Sequence, residues 1–453
     1  MQSEGKTLSQ NQGIIMLHAG FAKIDITPAL GCGMQGYFKD RFAESVHDPL
    51  YAHALVIDDK KTSAGIVSCD LIGLEYDTVQ EARRIIEQET GIPDGHMIIC
   101  GTHVHTGPIT ICHRRDADVA IDKEWRALLP RKIASAAIQA FRQRRPTGMA
   151  CECGEENRVS FHRRFVMKNG RVQTNPGRQN PDIVKPAGPI DPEMGVLAFG
   201  SGRNAIMGTL VNFTLHLDTI AGNNISADFP GVIERVLNGF APGIGFVYTS
   251  GAMGNINHCD VTNPVGRKYE YFEHAARIGG MLGGEVIKTM ARMRTFRTDV
   301  AVGARRAPVT LPLKECGADE LAKARRMVEK GAPAATLSSE KWLHNRALII
   351  AAKVGRGEIT TEITAIRVGD VAFVGIPGEY FVEFGLEIKR RSPFGKTFVV
   401  ELTGDYLGYI STKEGIASGG YESSGTIFKP GAGEILRDAA LDLLKKLRGT
   451  SKA

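Results

Sequence analysis

Two histidines, His103 and His105, stand one residue apart directly after an apolar run at residues 97–100. Imidazole nitrogens bind zinc and carry protons near neutral pH. If the backbone is extended here, side chains two residues apart point to the same side, so both rings could serve one metal ion or a metal ion and its proton carrier. Histidine pairs also occur in loops without any chemistry, and this spacing alone leaves both interpretations open.

Three other side chains could join such a site. His216 ends an apolar run, Glu379 follows Pro377-Gly378, and Tyr409 lies in a glycine- and aromatic-rich stretch. Each also has an ordinary structural interpretation, as a core histidine, a turn carboxylate or a packed ring. What they share with His103 is a position just after a predicted strand, and open α/β sheets carry their chemistry at the carboxyl ends of strands.

The hydrophobic pattern predicts the elements that would position these side chains. Between Gly65 and Pro108 it predicts a β-α-β unit with parallel strands at residues 66–69 and 97–100, joined by a helix that Asp77 and Gln80 cap and Gly91 ends. Further strands are predicted at residues 205–213, 371–376 and 398–402, and helices at 131–145, 318–330 and near the C-terminus. The stretch 177–193, rich in Pro and Gly, is predicted to be a long loop that shapes a pocket together with residues 112–127. The fold class is therefore α/β, with a mixed β-sheet core flanked by helices.

Composition narrows the function classes. The 453 residues carry 56 Lys and Arg against 50 Asp and Glu, a net charge of +6 without a continuous basic tract, which argues against nucleic-acid binding. No apolar run is long enough to cross a bilayer and residues 1–12 are polar, so we expect no membrane anchor, no secretory signal and a cytoplasmic location. The eight cysteines show no CxxC spacing and are expected to be buried free thiols rather than disulfides or metal ligands.

Five motifs, taken together, resemble one protein family. They are Gly20–Pro28 (GFAKIDITP), Gly101–Pro108 (GTHVHTGP), Ile225–Gly231 (ISADFPG), Gly251–Ile256 (GAMGNI) and Tyr421–Ser424 (YESS). They occur in the order seen in the catalytic domain of the neutral/alkaline non-lysosomal ceramidases, and the resemblance runs from about Ala19 to the C-terminus. It implies a fold like that catalytic domain, with residues 1–18 as an N-terminal extension and residues 19–453 as a single catalytic domain. The chain is expected to lack the immunoglobulin-like domain and the secretion signal of those enzymes.

The resemblance also implies a site. In the family one zinc ion is held by two histidines, a glutamate and a tyrosine, and the matching residues here are His103, His216, Glu379 and Tyr409. The other site residues of the family match His105, Arg158 and Tyr421. Where members that cleave ceramide have a serine, this chain has Asn257, so a mechanism that needs that serine hydroxyl does not carry over.

From this site we predict a zinc-dependent hydrolase that cleaves the C–N bond of an N-acyl or other linear amide, a small-molecule substrate, with metal-activated water as the nucleophile. His105 is expected to transfer protons to the leaving amine, and Arg158 with Tyr421 to stabilise the oxyanion. Asn257 is expected to donate a hydrogen bond in place of the serine. Asp228 either orients a ligand histidine or caps a loop.

Three alternatives stay open. The same zinc centre could hydrolyse an ester or a lactone, and paired amide and ester substrates would separate these activities. The histidine motif also fits a metal-dependent amidohydrolase barrel, although it lies about a hundred residues into the chain without eight regular βα units. Finally, a protein without the serine could bind an amide and not hydrolyse it.

Overall fold

The fold is taken from a computed structural model, which describes residues 16–37, 40–111, 120–203, 205–263, 271–315, 317–330 and 357–449. Some predictions concern residues outside these ranges. These residues are 1–15 of the predicted N-terminal extension, 112–119 of the expected pocket segment, and the cysteines Cys112 and Cys316. Among the helices of the described ranges, none is both long and apolar enough to span a membrane.

The first of three main sheets has five strands, which are His18–Asp25, Tyr51–Asp58, Ser63–Cys69, Met97–Gly101 and Arg145–Pro146. Their order across the sheet is 97–101, 63–69, 51–58, 18–25 and 145–146. Strands 63–69 and 97–101 are parallel, and the other neighbouring pairs are antiparallel. This confirms the predicted β-α-β unit, whose connecting helix is Tyr76–Thr90.

The prediction for the ends of that helix is confirmed at the C-terminus only. Glu75 occupies the N-cap position, where its side chain does not cap the helix, and Asp77 lies inside the first turn. The expected capping pair is therefore wrong, because the Gln80 amide donates instead to Glu362 at 3.2 Å. At the other end Gly91 adopts φ +72° and its N–H bonds the last turn, a left-handed cap that glycine forms at little cost.

The second main sheet has four strands, Gly148–Glu155, Glu193–Gly200, Ile206–Phe213 and Gly245–Ser250, and the third has Val302–Pro312, Glu358–Val368, Val371–Gly375 and Lys396–Val400. Each contains one parallel pair, 206–213 with 245–250 and 371–375 with 396–400. A helix lies between the paired strands in each case, Asp228–Phe240 in the second sheet and Val382–Arg391 in the third. All three sheets therefore repeat one parallel, helix-linked unit.

The remaining described helices are Ala120–Arg142, Tyr271–Arg292, Ala318–Lys330, Lys413–Ala417, Tyr421–Gly425 and Ala432–Gly449, with a 3₁₀ turn at Asp94–His96. Short strand pieces lie at Gly33–Met34, Arg41–Phe42, Ser45–Val46, Phe161–His162, Arg164–Met167, Val172–Thr174, Ile183–Pro186, Asn224–Ile225, Ile256–Asn257, Glu379–Tyr380 and Tyr409–Ile410.

Two predicted boundaries change. The helix expected to begin after Pro130 begins at Ala120 and keeps the proline inside it. Proline is more often found in a first helical turn, which is why the pattern gave a late start. The predicted loop 177–193 contains the strand Ile183–Pro186, which pairs with 164–167.

The three sheets share a core. Along strand 51–58, Ala54 and Val56 pack into the cluster that includes helices 76–90 and 120–142. Leu55 and Ile57, on the opposite face, join Phe199 of the second sheet and Phe373 of the third. This two-residue alternation buries both faces of the strand. The shared core holds the strand ends of different sheets close together.

The six described cysteines are free thiols, and three of them are buried.

Candidate active site

Strand ends from the first two sheets bring two predicted ligands together. His103 follows strand 97–101 and His216 follows strand 206–213. Their Nε2 atoms are 3.1 Å apart, and the residues are 2% and 1% exposed. His105 joins them, because the ligand nitrogens of all three histidines lie within 4.8 Å of one another. The sequence prediction placed His105 beside a metal ion, and the structure makes it a third member of the cluster.

The backbone at His103 is not extended, as the His-X-His argument had assumed. Its φ is +82°, in a region that costs a non-glycine residue about 1–3 kcal/mol. Two contacts hold the residue there: its N–H donates to the carbonyl of Leu71 at 2.8 Å, and its Nδ1 lies 2.7 Å from the carbonyl of Ile72. Because a carbonyl only accepts, Nδ1 carries the proton and Nε2 offers a lone pair to the cluster.

Neighbouring loops hold His105 in place. Its N–H donates to the carbonyl of Leu217 at 3.1 Å, and its carbonyl accepts from Arg41 at 2.6 Å. The Tyr37 ring meets the imidazole edge-on at 5.4 Å, and a Cβ at Gly36 would lie 2.6 Å from the His105 Cβ. Both imidazole nitrogens of His105 are buried without a hydrogen-bond partner. Orphaned buried polar atoms are uncommon and indicate a ligand that the protein chain does not supply.

The third main sheet supplies a carboxylate. Glu379 follows strand 371–375, and its Oε1 accepts a hydrogen bond from the Tyr406 hydroxyl at 2.8 Å. Its Oε2 lies 3.5 Å from His103 Nε2 and has no hydrogen-bond partner within the described ranges. Strand 379–380 pairs in parallel with 409–410, which sets Glu379 directly opposite Tyr409. Paired residues in register project to the same face of a sheet, so the phenol stands beside the carboxylate.

Burial and mutual contacts set the charges of the cluster. Burial, and after it His103, lowers the pKa of His105 from 6.5 to about 3, and the same causes lower the pKa of His216. Burial opposes ionisation of Glu379, yet His103, Arg163 and the Tyr406 hydroxyl together outweigh it and lower the pKa of Glu379 to about 2. Burial, followed by Glu379, raises the pKa of Tyr409 well above its usual value. The cluster therefore combines the neutral imidazoles of His105 and His216 with one carboxylate and a protonated phenol.

Arg163 is the buried cation of the site, and the sequence analysis did not identify it. Its Nε donates to Glu422 at 2.8 Å and its Nη2 to the carbonyl of Gly254 at 2.7 Å. Its guanidinium carbon lies 5.4 Å from the centroid of the Tyr409 ring, which in turn meets Tyr421 edge-on at 5.5 Å. Arg163 and the predicted Tyr421 therefore lie on the Tyr409 side of the cluster. The available signal was the aromatic sequence around this arginine pair, Phe161-His162-Arg163-Arg164-Phe165.

The structure does not bring Arg158 into this cluster. Its guanidinium binds Glu156 at 2.8 and 2.5 Å, and 71% of its side chain is exposed. Asn257 is buried, with its amide donating to Asn175 at 2.7 Å and accepting from the N–H of Cys259 at 3.0 Å. The catalytic roles expected for these two residues stay predictions.

Asp228 binds the loop that follows His216. Its carboxylate accepts from the hydroxyl of Thr219, from the Thr219 N–H at 3.1 Å and from the Phe229 N–H at 2.6 Å. Burial raises its pKa to about 6. These contacts fit the loop-capping alternative for Asp228, and an orienting role toward a ligand histidine stays a prediction.

The donor set of this cluster fits a divalent metal ion. Neutral imidazoles and a carboxylate are the usual ligands of zinc. Here the nitrogens of three imidazoles converge beside Oε2 of Glu379, for which the described part of the chain supplies no hydrogen-bond donor. A divalent cation would satisfy these lone pairs together and would lower the pKa of the Tyr409 phenol.

Comparison with known proteins agrees with the sequence resemblance. No family model matches the chain. Neutral ceramidase of Pseudomonas aeruginosa is 22% identical over an alignment 499 positions long, which covers 95% of this chain and 72% of that protein. A crystal structure of neutral ceramidase from Pseudomonas aeruginosa gives a TM-score of 0.76 at 18% identity, covering 96% of this chain and 75% of that one. A ceramidase complexed with C2 gives 0.74 at 18% identity, covering 96% and 76%. The chain is therefore a homologue of neutral ceramidase and has its α/β fold, as the motifs predicted.

Proposed function

We propose that this protein is a zinc-dependent hydrolase that cleaves the C–N bond of a linear amide. The observation that carries the proposal is the cluster of three imidazoles beside the Glu379 carboxylate, where both His105 nitrogens and Glu379 Oε2 have no hydrogen-bond partner among the described residues. The homology to a protein named neutral ceramidase supports an amide as the bond that is cleaved. The substrate is then a small molecule with an acyl half and an amine half.

His103, His216 and Glu379 would hold the ion, with Tyr409 as a fourth ligand. When bound, a divalent ion such as zinc polarises a carbonyl group and lowers the pKa of a bound water to about 7. His103 is prepared for this role, because its bond to a backbone carbonyl fixes the tautomer with a free Nε2. Tyr406 does the same for Glu379, since its hydroxyl binds Oε1 and leaves Oε2 to face His103.

His105 is proposed to move the proton. Its neutral ring has one protonated and one free nitrogen, and neither is engaged by the described residues. It accepts a proton from the attacking water at the free nitrogen and delivers one to the nitrogen of the breaking bond. The amine then leaves as a neutral molecule. The bond to Leu217 and the edge contact with Tyr37 hold the ring in place for both transfers.

Arg163 and Tyr421 are proposed to stabilise the charge that develops on the carbonyl oxygen. A buried cation acts in a low dielectric, where its attraction for an oxyanion is strong. Its bonds to Glu422 and Gly254 fix the guanidinium before substrate arrives. Arg158 is largely exposed to water, which screens its charge. The proposal therefore moves this role from the expected Arg158 to Arg163.

Asn257 has no nucleophilic oxygen and would help to hold the substrate. Its carboxamide has two N–H donors, and Asn175 takes one of them. The other donor is the group that we assign to the substrate in place of the serine hydroxyl. Its orientation is fixed, since the carboxamide oxygen binds the N–H of Cys259.

The test combines metal analysis with turnover. We expect the purified protein to bind about one zinc ion per chain, to lose activity when a chelator removes the ion, and to regain it with added zinc. Amine release is measured over a panel of N-acyl amides of graded acyl length. A zinc-loaded protein that releases no amine from this panel would refute the hydrolase and leave an amide-binding protein.

The ester alternative is tested in the same experiment. Each amide of the panel is paired with the ester of the same acyl group. Because esters are intrinsically easier to hydrolyse, the comparison uses the rate enhancement over the uncatalysed reaction and not the rate itself. A larger enhancement for the amides supports the proposal, and a larger one for the esters would replace it by an esterase.

A further inference from the structure

The Asp218 carboxylate has no role in the scheme above, although it lies two residues after His216. Its Oδ1 is buried, and among the described residues it has no hydrogen-bond partner. An unsatisfied buried acceptor costs about 1–3 kcal/mol, and more when it is charged. The groups around this oxygen therefore indicate which ligand could satisfy it.

Two histidines lie on the outer side of Asp218. The Nε2 of His258 is 3.3 Å from Asp218 Oδ1, but the two atoms are not aligned for a hydrogen bond. The other nitrogen of His258, Nδ1, is 2.8 Å from Nε2 of His274 on helix 271–292. This contact anchors the His258 ring, which therefore stands beside the carboxylate and leaves Oδ1 unsatisfied.

On its inner side Asp218 belongs to the wall that holds His105. The carboxylate is close enough to His105 to interact with it electrostatically. The carbonyls of Asp218 and Ile220 both accept from the Tyr37 hydroxyl, at 3.2 and 2.8 Å. The Tyr37 ring then contacts His105 edge-on. Asp218, Tyr37 and His105 thus form one continuous side of the site.

We propose that Asp218 determines substrate specificity by accepting a hydrogen bond from an ammonium or hydroxyl group on the amine half of the substrate. This inference rests on the proposed amide hydrolysis. The amine half is chosen because His105 delivers its proton to the leaving nitrogen, so groups beside His105 lie beside that half. A carboxylate binds a cationic donor most strongly, a hydroxyl less strongly and a methyl group not at all.

The experiment uses amides that differ in one terminal group. N-hexanoyl derivatives of ethylenediamine, ethanolamine and propylamine present an ammonium, a hydroxyl and a methyl group at nearly the same place. For the zinc-loaded protein we expect kcat/KM to fall in that order, by about tenfold or more from the first to the last. In Asp218→Asn the ratio between the ammonium and methyl compounds is expected to approach one.

Asp299→Asn is the matched control. Asp299 is an exposed residue paired with Arg297, so this variant loses the same charge on the surface. It is expected to keep the substrate order of the unmodified protein. Because the readout is a ratio within one preparation, a partly unfolded fraction cancels out of it.

Any other outcome contradicts either this inference or the proposed hydrolase activity. Equal kcat/KM for all three amides, or an unchanged ratio in Asp218→Asn, would overturn the inference and leave amide hydrolysis standing. Loss of zinc from Asp218→Asn would also overturn it, because Asp218 would then belong to the metal centre. If the unmodified protein hydrolysed none of the three amides or any other of the panel, the hydrolase proposal would fail and this inference with it.

Discussion

Two buried histidine–carboxylate pairs in this molecule have the same separation and different surroundings. His53 Nε2 lies 3.5 Å from Asp70 Oδ2, and His103 Nε2 lies 3.5 Å from Glu379 Oε2. The four side chains are at most 7% exposed. Distance and burial therefore do not distinguish the pairs.

Their other contacts do distinguish them. Asp70 Oδ2 also accepts the backbone N–H of Tyr51 at 2.9 Å, and His53 lies within a regular antiparallel strand. Glu379 Oε2 has no hydrogen-bond partner, and His103 has a left-handed backbone and two further imidazoles beside it. Polar groups that the chain satisfies by itself stabilise the fold. Groups that it leaves unsatisfied on a strained backbone indicate a ligand.

The largest effect is expected from removing the charge of each carboxylate in turn. Glu379→Gln removes an anionic metal ligand, so we expect zinc affinity to fall steeply and kcat/KM to fall by about a thousandfold or more. Asp70→Asn weakens a structural pair, so we expect the free energy of unfolding to fall by about 1–2 kcal/mol with zinc still bound. Metal titration, turnover and urea unfolding of both variants measure the difference. Equal zinc loss in both would remove the distinction between the pairs.

Arg163 and Arg158 allow the same comparison between a buried and an exposed side chain, here for stabilisation of the oxyanion. Removing a preorganised oxyanion donor typically lowers kcat by about 100- to 1000-fold, and we expect this from Arg163→Gln. Arg158→Gln should change kcat by less than about twofold, because its side chain binds only Glu156 at the surface. Glu422 keeps a second arginine, Arg164, at 3.4 Å, which supports folding of the Arg163 variant. The opposite order of effects would restore Arg158 to the mechanism.

Tyr421→Phe separates metal binding from charge stabilisation. The variant removes one hydroxyl from the Tyr409 side of the cluster and none of the proposed ligands. We expect zinc to stay bound and kcat to fall by about a hundredfold, with a smaller change in KM. Metal content and steady-state kinetics measured on one preparation provide the check. A variant as fast as the unmodified protein would exclude Tyr421 from the reaction.

Local pattern was sufficient to predict the parallel unit of the first sheet and the strand ends that carry His103, His216 and Glu379, but not the parallel pairs of the other two sheets. A buried strand, a helix and a second buried strand leave few topologies, and chemistry collects at the carboxyl ends. The ligand set as a whole came from the resemblance to a family. Neither source could show that the three sheets share one core, which is what brings these ends together.

The missed features depend on contacts between distant segments. Arg158 and Arg163 are five residues apart, and their environments differ because one binds Glu156, two residues away, and the other binds Glu422. The positive φ of His103 is likewise set by the carbonyls of residues 71 and 72. Sequence spacing assumes a regular backbone, so it fails where strain is part of the site.

The smallest effect is expected from a variant that displaces His105 slightly, which tests whether the reaction depends on the exact position of this ring. Gly36 and Gly31 both have positive φ, +111° and +84°, so alanine at either position should lower the free energy of unfolding by about 1 kcal/mol. At Gly36 the new Cβ would collide with His105. At Gly31 no described atom lies within 4 Å of the new Cβ. We expect Gly36→Ala to lower kcat by about tenfold and Gly31→Ala to leave it within twofold, because a proton carrier loses rate when it is displaced by a fraction of an ångström. Kinetics and urea unfolding of the two variants give both numbers. Equal kcat values for the two variants would mean that the reaction tolerates a shift of His105. His105 would then have a structural role like that of His53, and not a catalytic role beside His103.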